Sequence, residues 1–430
     1  MKKSKFINNT IILIIGGFMT KVLGMIIKII STRLMGTQGI GLYMLIMPTF
    51  MLFITLATLG LPTAISKLVA EDRRNNRNLV FSSFPIIFII NLIIMFIIII
   101  FAKLIANTLL HEPRTYYAIL SIGFVLPFIS ISSVLRGYFF GKQRMLPHVI
   151  SNTIEDITRL ISIILFMPFF VKKGLEFSVA FLVISNIVSE LTSILILFFF
   201  LPKHFKLAKK DIIPSFNNIK QIMDISLPTT GSRLIGSIGL FFEPIILTFI
   251  LIKIGYSNTF IINEYGVLNG YVMPLILLPS FFSGAISQAL LPIISKSYAS
   301  NHKKYIITKI KQAIFFSLLI GLPATIIFTL VPQIPLHLIY NTDEGINYIK
   351  VLAPICLLHY IQAPLTVTLQ AIGKASIAMK GTFFGMIIRT LALIIGCFSH
   401  IGLWGLVIAS SLNIIYITIH HYYWVKKLVC

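Results

Sequence analysis

Twelve apolar runs of roughly membrane-spanning length dominate this sequence, at about residues 8–31, 39–66, 79–104, 115–140, 148–171, 177–201, 218–252, 260–294, 305–331, 346–372, 375–398 and 401–424. About 20 apolar residues are what the hydrocarbon of a bilayer asks of a helix, because every backbone N–H and C=O must be satisfied within the segment. A chain that repeats such a stretch this often is expected to fold as an all-α integral membrane protein. Composition agrees: 57% of the 430 residues are hydrophobic and 11% are charged, with a mean hydropathy of +0.94. Soluble domains do not have that profile. Several runs exceed the hydrocarbon thickness, which implies tilting, kinking or protrusion. The opening Met1-Lys2-Lys3-Ser4-Lys5 leads into a run that contains Lys21 and Lys28 and lacks a small-residue cleavage site. It reads as a first retained helix, not as a signal peptide.

A formal net charge of +23 would point to nucleic acid in a soluble protein. Here the basic residues fall mainly in short loops between apolar runs, so topology and anionic lipid headgroups account for them, and no nucleic-acid partner is expected. With the N-terminus in the cytoplasm, that side collects 23 loop cations against 7 on the other, the latter being Arg33, Lys103, Arg114, Lys172, Lys173, Lys253 and Lys350. The asymmetry places both termini in the cytoplasm. The longest basic connection, 202–217, divides the chain into two lobes of six helices, 1–201 and 218–430. An even number per lobe makes the lobes parallel repeats about an axis along the membrane normal. The three cysteines, Cys356, Cys397 and Cys430, have no metal-ligand spacing and read as two apolar fillers and a terminal thiol.

Internal likeness supports a duplication. Leu61-Pro62-Thr63-Ala64-Ile65-Ser66-Lys67 closes the second run and Leu291-Pro292-Ile293-Ile294-Ser295-Lys296 closes the eighth. Upstream lie Met47-Pro48 and Met273-Pro274, each a few residues after Gly41 or Gly266. A second pair of stretches matches Leu135-Arg136-Gly137 and Gly141-Lys142 with Leu369-Gln370-Ala371 and Gly373-Lys374. Arg159 and Arg389 then fall in the fifth run of each lobe. Pro48, Pro62, Pro274 and Pro292 are candidate hinges, because each removes a backbone hydrogen bond and permits a bend.

Cations inside apolar runs are costly and need a polar cavity or a partner. At 100° per residue Gly17, Lys21, Gly24, Lys28 and Ser31 share one stripe, as do Thr229, Arg233, Gly236 and Glu243, and Gly381, Gly385 and Arg389. The glycines leave room for a ligand to approach. Glu155 and Arg159, four residues apart, are expected to form a structural ion pair. Ion pairing could account for Arg233 through Glu243 in the same way, but too few acids remain to neutralise Lys21 and Arg389 as well; Lys21, Lys28, Arg233 and Arg389 are the candidate ligands of an anion, and Lys with Arg suits phosphate. Glu243 is the candidate coupling acid. The bland reading of Lys28 is snorkelling from the helix end. His420 and His421, beside Tyr422, Tyr423 and Trp424, read as interfacial anchors. The loops hold no phosphate-cradling glycine motif, no paired carboxylates and no His/Cys cluster, so neither an enzyme nor a metal or other cofactor is expected.

Gly60-Leu61-Pro62-Thr63-Ala64-Ile65-Ser66-Lys67-Leu68-Val69-Ala70-Glu71 resembles the second-helix signature of the stage V sporulation protein B family. Leu135-Arg136-Gly137-Tyr138-Phe139-Phe140-Gly141, on through Pro147 to Glu155 and Arg159, is similar to its fourth-to-fifth-helix signature, and Thr20-Lys21-Val22-Leu23-Gly24 with Arg33-Leu34-Met35-Gly36 to its opening. That family belongs to the multidrug, oligosaccharidyl-lipid and polysaccharide exporters. The resemblance implies two six-helix lobes around a central V-shaped chamber in a bacterial cytoplasmic membrane. It also implies alternating-access flipping of an undecaprenyl-pyrophosphate-linked saccharide, such as the peptidoglycan precursor of spore cortex. In the related lipid II flippases first-helix basic residues act in the chamber, and Lys21 and Lys28 match them. Both that family and those flippases usually have fourteen helices, where this sequence has twelve segments. Two other readings stand beside the flippase: a cation-coupled multidrug extruder, and a membrane scaffold for envelope-synthesis proteins. An extruder of organic cations would favour acidic, aromatic-lined cavities.

Overall fold

The computed structural model describes residues 2–71, 76–201 and 213–429, and the chain is helical almost throughout them. Most of the expected basic linker, 202–212, lies outside the described residues. α1 (Lys2–Thr58) is broken at Gly36, whose φ of 68° and ψ of −176° suit a residue without a Cβ. A second break follows at Leu59 and Gly60, with φ of 44° and 61°. α2 (Leu61–Ala70) restarts the helix with Pro62 in its first turn, where a missing N–H forfeits no intrahelical bond. The second expected crossing is thus residues 37–58 continued by α2. Next come α3 (Asn76–Leu104), ending in a π turn, Ile105–Leu109, then α4 (Tyr116–Gly141), α5 (Met145–Lys173), α6 (Leu175–Phe199) and α7 (Phe216–Lys253).

The eighth crossing is broken. α8 (Asn258–Gly266) passes through a π turn, Val267–Val272, into α9 (Met273–Ile276) and then α10 (Ser280–Ala299). The path bends by 52° between 258–276 and 280–287. Pro274 opens α9, and the Tyr360 hydroxyl donates to the Ile276 carbonyl at the break, at 2.5 Å. Pro292 lies in α10, with its side chain outside the described residues. α11 (Lys303–Leu330), the short α12 (Gln333–Tyr340), α13 (Ile346–Ala371), α14 (Ala375–Phe398) and α15 (Trp404–Val429) complete the chain.

By length and apolarity alone eight helices qualify as membrane spans, or nine with the bent pair counted as one. One of these, 15–70, holds two crossings joined at Gly36. α5, with Glu155, Asp156 and Arg159, and α15, with Asn413, His420 and His421, are diluted by polar residues. Adding them gives the twelve expected segments among the described residues. Large apolar side chains such as Phe88, Ile100, Leu165 and Phe199 are exposed, as the lipid-facing surface of a membrane protein requires.

Contacts group the chain into two compact units, Met1–Ile245 and Ile246–Cys430. The division falls inside α7, one residue past Pro244. The start of α7 is held to the first unit by a small amide network. Asn78 Nδ2 donates to the Ile213 carbonyl at 2.7 Å, Asn218 Nδ2 to Asn78 Oδ1 at 2.8 Å, and the Ser215 N–H to Ser82 Oγ at 3.0 Å. Further along, the hydroxyls of Thr55 and Ser237 lie 3.0 Å apart.

The duplication is visible in the packing of each unit taken by itself. In the first, Leu61, Ala64 and Ile65 of α2 share a buried cluster with Val134, Leu135 and Phe139 of α4. In the second, Leu290 and Ile294 of α10 share one with Leu365 and Leu369 of α13. A Cβ on Gly137 would lie 2.6 Å from the Pro62 carbonyl oxygen, and one on Gly141 2.7 Å from that of Ser66. The duplicated stretches therefore face each other within each unit. The turns correct the expected register by two residues. Arg144 N–H donates to the Phe139 carbonyl with Gln143 at φ 52°, as Lys374 N–H does to Leu369 with Gly373 at φ 75°. Gly373 thus corresponds to Gln143 and not to Gly141, because the left-handed residue of the closing turn sets the match. In this register Arg136 corresponds to Thr366, and Arg159 to Arg389.

Candidate functional site: charges held inside the helices

α1 packs on α5 through Gly16, where a Cβ would meet Val149 at 2.4 Å. The stripe on the following residues is open. Lys21 is exposed and Lys28 half-buried, and a Cβ on Gly17 or Gly24 would meet no atom within 4 Å. Ser31, at the end of the stripe, is buried and donates to the Ile27 carbonyl at 2.8 Å. On α7, Arg233 is exposed and donates from Nη2 to Thr63 Oγ1 at 3.3 Å, one residue past Pro62. Gly231 and Gly236 beside it are also open. Neither Lys21 nor Arg233 has a carboxylate partner among the described residues. Glu243 is half-buried on the same helix, next to Pro244.

The stripe of α14 is built differently. A Cβ on Gly381 would strike His420 at 2.4 Å, and one on Gly385 would strike Ile417 at 2.6 Å. These glycines let α14 and α15 approach closely, and Arg389, half-buried, follows a packing face.

The ion pair expected between Glu155 and Arg159 does not form. Glu155 is 9% exposed and its Oε2 accepts instead from Nη2 of Arg136, on α4. The same Nη2 donates to Glu190 Oε2 of α6 at 3.2 Å and to Ser193 Oγ at 3.0 Å. Glu155 faces the α4 and α6 side of α5, and Arg136 reaches two acids there at once. The guanidinium thereby ties three helices together. Arg159 is half-buried, and its charge acts on Asp156 and Tyr43. Asp156 is 8% exposed and lies in the field of Glu155, Arg159 and Arg136.

The second unit puts a threonine, Thr366, at the place of Arg136. Thr366 Oγ1 lies 3.0 Å from His421 Nδ1, and His421 Nε2 is 3.2 Å from the Ala378 carbonyl. Nε2 is therefore a donor, and both ring nitrogens have a partner. Gln362 Nε2 donates to the Ile414 carbonyl at 2.9 Å and to Thr418 Oγ1 at 2.8 Å. His421 is 1% exposed, so it is a buried cross-link and not the interfacial anchor its neighbours suggest. The first unit thus combines exposed cations on glycine-flanked stripes, suited to a ligand with several anionic oxygens, with a buried charge network that braces α4, α5 and α6.

Comparison with known proteins agrees with this architecture. The family profile described as polysaccharide biosynthesis protein matches residues 6–298, and the MatE profile matches 244–395. Stage V sporulation protein B of Bacillus subtilis (strain 168) is 36% identical over 442 aligned residues, covering 100% of this chain and 85% of that one. Lipid II flippase MurJ of the same organism is 22% identical, covering 99% of this chain and 83% of the relative. Among solved structures, the inward-facing conformation of a multidrug resistance MATE family transporter of the MOP superfamily superposes with a TM-score of 0.76 at 17% identity, covering 95% of this chain and 94% of the other. A MOP superfamily transporter from Pyrococcus furiosus, with a binding pocket of reverse polarity, gives 0.66 at 16% identity, covering 98% of this chain and 95% of the other. Read with the twelve helical segments and their duplication, these matches make the chain a multi-pass membrane protein of the transporter and flippase class and not an enzyme; it belongs to the polysaccharide biosynthesis protein family, together with stage V sporulation protein B.

Proposed function

We propose that this chain flips an undecaprenyl-pyrophosphate-linked oligosaccharide or peptidoglycan precursor across the bacterial cytoplasmic membrane by alternating access. Both termini lie in the cytoplasm. Lys21, Lys28, Arg233 and Arg389 are the residues proposed to hold the pyrophosphate, and Glu243 the acid that couples transport to an ion. The lobes are 1–201 and 218–430, and Pro48, Pro62, Pro274 and Pro292 are the hinges. The observation that carries this reading is the exposure of Lys21 and Arg233 inside apolar helices, each beside glycines with open space around them. An extruder of organic cations would be hindered by those charges. A scaffold without transport would give no return for their cost in the membrane.

Two measurements test the reading. Cells depleted of the protein should accumulate a lipid-linked saccharide on the cytoplasmic face. Lys21→Ala, Arg233→Ala and Arg389→Ala should each abolish complementation while inserting and accumulating normally. Losing one buried charge contact to a phosphate costs roughly 2–5 kcal/mol, a thirtyfold loss or more. Lys21→Arg should be milder than Arg233→Lys, because a bidentate guanidinium contact cannot be rebuilt by a point charge. Full complementation by all three alanine variants at wild-type abundance would leave the scaffold reading in place.

A further inference from the structure

Among the described residues the second crossing breaks after Thr58 and the eighth after Ile276. A carbonyl at such a break loses the amide four residues on. In the eighth crossing the orphan can be named. Pro279 has no N–H to give, and the amides around it close short turns. Leu278 N–H donates to the Leu275 carbonyl at 3.2 Å, Ser280 N–H to Leu277 at 3.1 Å and Phe281 N–H to Leu278 at 3.3 Å. None of these reaches Ile276. Its carbonyl accepts instead from the Tyr360 hydroxyl, on α13.

The second crossing repeats the arrangement. Ser130 Oγ, on α4, donates to the Ala57 carbonyl at 3.2 Å, just before the left-handed Leu59 and Gly60. Asn91 of α3 fixes that hydroxyl, because its Nδ2 donates to Ser130 Oγ at 3.1 Å and to the Ile87 carbonyl at 2.8 Å. Asn91 Oδ1 lies 3.3 Å from Ser130 Oγ, so Ala57 is the nearer of the two acceptors. In the register set by the closing turns, where Arg136 matches Thr366, Ser130 matches Tyr360. The residue type differs and the task does not. One position of the duplicated helix carries a hydroxyl to the last turn before a break. The longer side chain suits the second unit, where the break falls well before Leu291-Pro292; in the first it falls directly before Leu61-Pro62.

Both hydroxyls are sealed from water. Ser130 and Tyr360 are 0% exposed and Asn91 3%. The Tyr360 ring lies against α11, where a Cβ on Gly321 would strike it at 2.4 Å. A hydroxyl in such a place needs an acceptor. An intact helix fills its carbonyls with its own amides, so a bent crossing offers that acceptor and a straight one withdraws it. We propose that Ser130 and Tyr360 are latches, each holding the broken crossing of its own unit in the bent state. Pro62 and Pro274 are the hinges proposed above, and the hydroxyls select the state in which those hinges rest. As parts of a transport cycle the latches rest on the flippase reading. As bonds that set a bend they do not.

The test is the distance across each break, read between spin labels by double electron–electron resonance on the purified full chain in detergent. Labels are placed on cysteines introduced at Thr259 and Ile293 in the second unit and at Met51 and Lys67 in the first, all exposed positions. Tyr360→Phe keeps the ring and removes the hydroxyl alone. It should add a longer, straightened component between 259 and 293, raising the ratio of straight to bent about tenfold, the worth of one modest hydrogen bond. The distance between 51 and 67 should stay as in the wild type. Ser130→Ala should do the converse, and Ser130→Thr, which keeps a hydroxyl, should retain the wild-type distance. Should Tyr360→Phe fail to accumulate, the two Ser130 variants still decide. The proposal falls if Tyr360→Phe or Ser130→Ala keeps the wild-type distances. It also falls if either loosens both units alike, which is how a plain packing residue behaves. No saccharide enters the measurement, so its outcome is independent of whether the flippase reading holds.

Discussion

Arg136 shows why single residues are the hardest scale to read in a membrane chain. Its acidic partners lie 19 and 54 positions away in sequence, while Arg159 lies one helical turn from Glu155 and so invites the local pairing. Packing decides otherwise, because Glu155 points between helices. Arg136→Ala strands two buried carboxylates, and breaking a buried pair in this way costs roughly 3–5 kcal/mol. The expected outcome is a sharp fall in abundance and in the unfolding midpoint of the purified protein. Arg159→Ala, which leaves both ion pairs of Arg136 in place, should fall much less. Equal losses in the two variants would show that Arg136 is not the brace. The stretch Leu135-Arg136-Gly137 is a marker of the duplication in sequence, and the one available signal for its role is that an arginine occurs there within an apolar run.

At the scale of helices, glycine has two uses that look alike in sequence. Gly17 and Gly24 border open space, while Gly137, Gly141, Gly381 and Gly385 sit where another helix leaves no room for a Cβ. Backbone atoms of α2 face Gly137 and Gly141, and they cannot step aside as a side chain can. Gly137→Ala should therefore destabilise the protein by about 1–3 kcal/mol through overpacking, read as a lower unfolding midpoint. Gly24→Ala should leave the midpoint near that of the wild type and affect transport alone, by narrowing the space beside Lys21. A loss of stability in Gly24→Ala matching that in Gly137→Ala would contradict the distinction. The breaks at Gly36, at Leu59 and Gly60, and between Ile276 and Ser280 belong to this scale too. Pro62 and Pro274 mark two of them in sequence, whereas the break at Gly36 has no proline and shows itself only in backbone angles.

For the molecule as a whole, the basic loops predict an orientation in the membrane. Single cysteines in a chain cleared of its native ones should report it. One placed at Asn75 or Asn217 is expected to be shielded from an impermeant thiol reagent in intact cells, and one at Asn258 to be labelled. Labelling at Asn75 would reverse the orientation and with it the direction of transport. What the sequence by itself determined is the helical membrane class, the segments, the duplication and the relationship to stage V sporulation protein B. Apolar length, the order of motifs and the distribution of loop cations are properties read along the chain, and a bilayer converts them directly into helices. Only the tertiary structure decided that Arg136 holds Glu155 and Glu190, that the glycines beside Lys21 are open while those before Arg389 are filled, and that Asp156 Oδ2 is left without a hydrogen-bond partner. Each of these depends on which side chains of distant helices face one another, and helical periodicity tells which residues share a face without telling what that face meets.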